Sequence, residues 1–199
     1  MIQNFYQLTP IRFLTVYIVQ GAIFIFFLYL AYKILKRDTK RLNLIFSAFY
    51  ISEAIGLLMN FIYAPLTVEI PVKILNFTTN FFLFFGPVFL LIFVLILLKS
   101  EKIINTTKQL IIIILYGIAI FGMIFITFIP NVGVHLSASN NWTPIWNIPF
   151  FIYIISIVTL FSTIPTLYYS YKVYRQFSNQ QLKFASIAMY YGVGKQISE

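Results

Sequence analysis

Five runs of apolar residues, each long enough to cross a bilayer as a helix, dominate this chain of 199 residues. They cover residues 13–35, 42–64, 74–98, 110–129 and 148–171. A hydrocarbon core takes about 20 residues at helical rise, so each run can span it once. Lipid offers nothing to satisfy backbone N–H and C=O groups, which leaves only helices or a closed barrel. Long apolar runs predict helices, because barrel strands are short and alternate polar with apolar. The expected architecture is all-α: a polytopic transmembrane helix bundle forming a single membrane domain over residues 1–199. The first run is longer than a signal-peptide core and ends without a small-x-small cleavage pattern, so it is expected as an uncleaved span.

A last apolar stretch, residues 182–194, would be only about 20 Å long as a helix, too short to cross comfortably. It is expected as a partial sixth helix, either the start of a span on a truncated chain or an interfacial segment.

Composition agrees with this architecture. The chain is 60% hydrophobic and only 10% charged, too few charges to cover a water-facing surface. Lipid is therefore the expected solvent for most of its exterior, and the bilayer its first partner. The net charge of +9 would suggest nucleic acid in a soluble protein. Here the positive residues lie in short segments between spans, where they set topology, and no nucleic-acid partner is expected.

The first connection carries Lys33, Lys36, Arg37, Lys40 and Arg41; the third carries Lys99, Lys102 and Lys108; the fifth carries Lys172, Arg175 and Lys183. The opposite side has only Arg12 and Lys73, with none from residue 130 to 147. Positive residues favour the cytoplasmic side, so the expectation is a multi-pass protein of the cell membrane with its N-terminus outside. Trp142 and Trp146 on one side, and Tyr168, Tyr169, Tyr171 and Tyr174 on the other, are expected as anchors at the two interfaces. Pro87 and Pro165 are expected to kink the third and fifth spans.

Little in the chain carries recognisable chemistry. Cysteine is absent, and His135 is the only histidine. No metal site, cofactor site, catalytic set or phosphate-binding loop can be assembled, so no enzymatic activity is expected. Glu53 is the one carboxylate inside a span, near the middle of the second run. A charge at that depth costs at least about 2.5 kcal/mol, so the side chain should face protein or water, pair, or take up a proton.

Ser47 or Ala48, then Ser52 and Gly56, place small residues beside Glu53 at about four-residue spacing, which lets another helix approach closely. Asn60 follows on the same side of the helix. Gln20 in the first run, and Asn76 and Asn80 at the start of the third, lie at comparable depth in the outer half of the bundle. Glu53, Gln20, Asn60, Asn76 and Asn80 thus form the candidate intramembrane polar site. Two readings stay open: an externally accessible cavity with Glu53 as a responsive group, or interhelical hydrogen bonding that fixes packing.

The passage Asn141-Trp142-Thr143-Pro144-Ile145-Trp146 precedes a long apolar run that ends in Tyr-Ser-Tyr-Lys-Val-Tyr-Arg-Gln-Phe. Together with the N-outside layout and short basic inner connections, it resembles the N-terminal membrane region of seven-helix sensor histidine kinases. The resemblance implies a sensory or signalling membrane module, with two further helices and a cytoplasmic output domain as its partner beyond these residues. It implies no ligand residues. The alternatives are a transporter or channel-like component using Glu53, and a scaffold that binds a partner membrane protein.

Overall fold

The computed structural model describes residues 9–99 and 103–176, and among these five helices are long and apolar enough to cross a membrane. They are α1 (Pro10–Arg37), α2 (Arg41–Tyr63), α3 (Glu69–Lys99), α4 (Thr106–Thr127) and α5 (Ile148–Arg175). The protein is an all-α bundle and an integral membrane protein. The stretch at 182–194 lies outside the described residues.

Local chemistry sets the helix ends. Thr9 caps α1, its hydroxyl oxygen accepting from the Arg12 N–H at 3.3 Å, and Pro10 takes the first helical position, where a missing N–H costs nothing. Asn105 caps α4 by accepting from the Lys108 N–H at 3.0 Å. The third helix starts earlier than its apolar run, at Glu69, so Lys73 lies inside it and not in the connection. The reason is visible in its first turns: Glu69 sits at the positive end of the helix dipole, and Lys73 four residues on bonds it at 2.7 Å.

Packing is organised around α3, which contacts α2, α4 and α5, whereas α1 packs chiefly on α2. Val88, Ile92, Ile120, Met123, Phe150 and Ile154, from α3, α4 and α5, are sealed from the surface and form the core. The outward faces carry Ile25, Ile118, Phe125 and Leu160, all exposed, as suits helices solvated by lipid. Along α1 only Val16 and Ala31 are buried.

The interruptions in α3 and α4 are braced from neighbouring helices. Pro87 interrupts α3 after Gly86, since it has no N–H to give the Leu83 carbonyl. On either side, Ser52 Oγ of α2 donates to the Phe82 carbonyl at 2.7 Å, and the Tyr116 hydroxyl of α4 donates to the Phe84 carbonyl at 2.8 Å. At the Gly122 break in α4, the Tyr153 hydroxyl of α5 donates to the Ala119 carbonyl at 2.6 Å. These hydroxyls tie the neighbouring helices to carbonyls beside each break, the kind of interhelical support that lets a membrane helix tolerate an interruption. Pro165 is accommodated differently: a π turn over Thr159–Thr163 loosens α5 just before it.

The connection between α4 and α5 folds into a short hairpin. β1 (Val134–His135) pairs antiparallel with β2 (Ile145–Trp146), in the register Val134 to Trp146 and His135 to Ile145. Gly133 pins the hairpin to α4: a Cβ there would run into the Ile126 and Thr127 backbone carbonyls. The two tryptophans pack inward. Trp142 joins Tyr63, Val72 and Leu136 in a small cluster over the ends of α2 and α3, and Trp146 stacks edgewise on Phe84 and Phe150. Both remain half-buried, each with one side of its ring on the bundle end.

At the opposite, basic end, cations lie over tyrosine rings: Lys172 over Tyr168 at 4.5 Å, Arg175 over Tyr171 at 5.7 Å and Lys99 over Tyr169 at 6.0 Å. Arg41 ties that end together, its guanidinium donating to Gln109 Oε1 and to the Ile104 carbonyl, each at 3.1 Å.

Candidate functional site

A cavity of about 500 Å³ opens at the hairpin end between α1, α2 and α3, with the hairpin loop as its fourth wall. That volume falls within the ordinary range for small-molecule sites. Gln20, Asn60, Asn76 and Asn80, named from the sequence, all line it. Glu53 does not.

The four amides are wired in two groups. Asn60 Nδ2 donates to Gln20 Oε1, joining α2 to α1, and the Tyr17 hydroxyl adds a second link by donating to the Phe61 carbonyl at 3.0 Å. On α3, Asn80 Nδ2 donates to Asn76 Oδ1 at 3.2 Å, and Asn76 Nδ2 donates to the Tyr63 hydroxyl oxygen at 3.1 Å. Asn76 and Asn80 are only 4% and 5% exposed. Burying amides so deeply is costly unless they are bonded, and this relay satisfies part of each.

Three other wall residues complete the chemistry. Arg12 stands beside the hairpin loop, where its Nη1 donates to the Asn141 carbonyl. Tyr63, buried, presents its hydroxyl at the end of the asparagine relay. Thr79, 4% exposed, has a hydroxyl with no hydrogen-bond partner. Such an orphaned group is uncommon in a folded protein and calls for an explanation.

The backbone of α1 is irregular where it forms the wall. Residues Leu14–Val19 make a π turn, a feature that recurs at functional sites. Its effect here is geometric. Arg12 and Gln20 are eight positions apart, which places them about 80° apart around a regular helix at about 100° per residue. The extra residue carried by a π turn offsets this by about 100°, bringing both onto the cavity face within about 20°.

Glu53 lies on the α2 face that meets α3. A Cβ at Gly86 would lie 2.5 Å from Glu53 Oε1, so the carboxyl occupies the notch that glycine leaves. Its carboxyl has no hydrogen-bond or ion-pair partner among the described residues. One turn further along, Gly56 permits a second close approach: a Cβ there would meet Leu83 Cγ at 2.7 Å and the Thr79 carbonyl at 3.0 Å. The small-residue flank thus packs α2 on α3. The five-residue site divides in two: four amides around the cavity, and Glu53 apart in the helix interface.

Arg12 and Tyr63 escaped the sequence-derived site. Arg12 served only to count charges, and its alignment with Gln20 depends on a π turn that no spacing rule anticipates. Tyr63 could have been found, since it lies three positions after Asn60 on one helix face. Among the described residues, no group of three His, Asp or Glu side chains gathers as metal ligands. Among the described residues, the cavity lining offers a solute hydrogen bonds and one positive charge. No protein-family model, curated protein or solved structure matches the chain.

Proposed function

We propose that this chain is a sensory membrane module whose input site is the amide-lined cavity, opening on the outer side of the membrane. The observation that carries the reading is the convergence of four buried or half-buried amides on a cavity shared by three helices. A solute bound there touches α1, α2 and α3 together, and so can bias how they sit against one another. Differential contact with two arrangements is what a sensor requires. The α1 wall suits such a role, since α1 packs chiefly on α2. The resemblance to the membrane region of sensor histidine kinases and the charge asymmetry of the connections support the same reading. Transport through Glu53 has less support, because that residue does not line the cavity.

The test uses the chain in nanodiscs, with spin labels at Thr39→Cys and Lys172→Cys near the basic end. A panel of small hydrophilic solutes is first screened for saturable binding. The sensing reading predicts that a binding solute shifts the label-to-label distance, and that Asn76→Leu removes both effects. Binding with an unchanged distance distribution would mean that the cavity holds a solute without signalling it. Binding by no member of the panel would sink the ligand reading altogether.

A further inference from the structure

We infer that the cavity takes an oxyanion, a carboxylate or phosphate carried by a small solute or by a lipid headgroup. The inference rests on the ligand-cavity reading above and concerns what that ligand must be. Among the described residues, Arg12 is the only charged one lining the cavity, and no carboxylate lines it. Glu69, the acidic residue that opens α3 at this end, is exposed and paired with Lys73 at 2.7 Å. The walls therefore carry a net positive charge within partly apolar surroundings that include Val16, Leu83 and Trp146, where an electrostatic attraction is stronger than in water.

The direction of the hydrogen bonds points the same way. In the relay from Asn80 through Asn76 to Tyr63, the Tyr63 oxygen accepts, which leaves its O–H to donate. Gln20 spends its carbonyl on Asn60, which leaves its N–H groups to donate. Thr79 adds a buried hydroxyl with no partner in the protein. Donors from α1, α2 and α3 thus meet beside a guanidinium held by the Asn141 carbonyl. Donors around a guanidinium suit a group that only accepts, and an oxyanion is such a group. Asn60 and Asn80 each keep a carbonyl oxygen, which suits a hydroxyl or amine elsewhere on the ligand.

The chain has no cysteine, so Thr79→Cys introduces a single thiol inside the cavity. In phosphatidylcholine nanodiscs it is reacted with anionic, neutral and cationic methanethiosulfonates of similar size, with rates corrected for intrinsic reactivity. The anionic reagent should react about tenfold faster than the cationic one, as charge focusing in a cleft requires. Arg12→Gln should bring that ratio close to one. Thr15→Cys, an exposed position on the same wall, repeats the measurement should Thr79→Cys fail to fold.

Equal rates, or faster cationic labelling, overturn the oxyanion while leaving a ligand cavity. No labelling by any reagent, with the thiol titrating normally after denaturation, overturns the cavity reading as well. Succinate and phosphatidylglycerol are then tried as protectants. Protection by succinate assigns the oxyanion to a soluble ligand, and protection by phosphatidylglycerol alone assigns it to a lipid headgroup. Protection by neither overturns the inference.

Discussion

Glu53 Oε1 fills the space that a side chain at Gly86 would need: a Cβ there would stand 2.5 Å from it. The carboxylate of one helix and the missing side chain of the next are thus a matched pair. The match falls beside Pro87, where α3 is already interrupted. Gly86→Ala should cost about 1–3 kcal/mol through overpacking. Glu53→Ala should relieve most of that cost, giving a coupling of at least about 0.5 kcal/mol in a double-mutant cycle. Unfolding in mixed detergent micelles measures both, and additive costs would show that the two residues do not share the notch.

The link between Gln20 and Asn60 is one of the few polar ties between α1 and α2. Interhelical hydrogen bonds in membranes average about 0.6 kcal/mol and rarely exceed about 1.7. Gln20→Leu with Asn60→Leu should therefore lower stability only slightly, but raise hydrogen exchange along α1 above that along α3. Exchange that rises equally in both helices would contradict the peripheral placement of α1.

Arg41 holds the basic end through two acceptors at once, Gln109 Oε1 and the Ile104 carbonyl. Gln109 is 6% exposed and itself donates to Ile104 O at 3.0 Å, so the unit is shielded. Arg41→Ala should cost about 1–3 kcal/mol, because the buried Gln109 Oε1 loses its donor while the Ile104 carbonyl keeps the one from Gln109. Arg41→Lys should recover less than half, since an ammonium lacks the forked geometry. Full rescue by lysine would reduce the contact to a simple charge effect.

The basic residues of the connections carry the expectation that the N-terminus lies outside, and that expectation has a direct test. In intact cells, a membrane-impermeant thiol reagent should label Ser139→Cys in the hairpin loop and leave Lys36→Cys untouched until the membrane is opened. Labelling of Lys36→Cys from outside reverses the topology and, with it, the side on which the cavity opens.

The spans were legible because membrane insertion is read from a local, additive property, the apolar length of a segment. Their ends were less so: α3 begins at Glu69 through an ion pair and the helix dipole, neither of which registers as hydropathy. The amides of the cavity were legible one by one, since buried polar residues are conspicuous in an apolar run, and their shared depth fixed their neighbourhood. The place of Glu53 was not. Membership of the cavity depends on how α2 is rotated against α3, and Gly56 and Gly86 set that rotation through contacts distant in sequence. The hairpin left no hydropathy signal because its strands are two residues each. Without it, the packing of Trp142 and Trp146 on the bundle end could not be read from the sequence.

The π turn at Leu14–Val19 makes the cavity depend on a length and not on a particular side chain. Removing one residue from this stretch should have much the same effect whichever residue is lost, because what disappears is the offset that aligns Arg12 with Gln20. In genetic terms the wall is a one-codon insertion. A descendant that lost that codon could keep every span and every amide, yet turn its guanidinium out of the cavity.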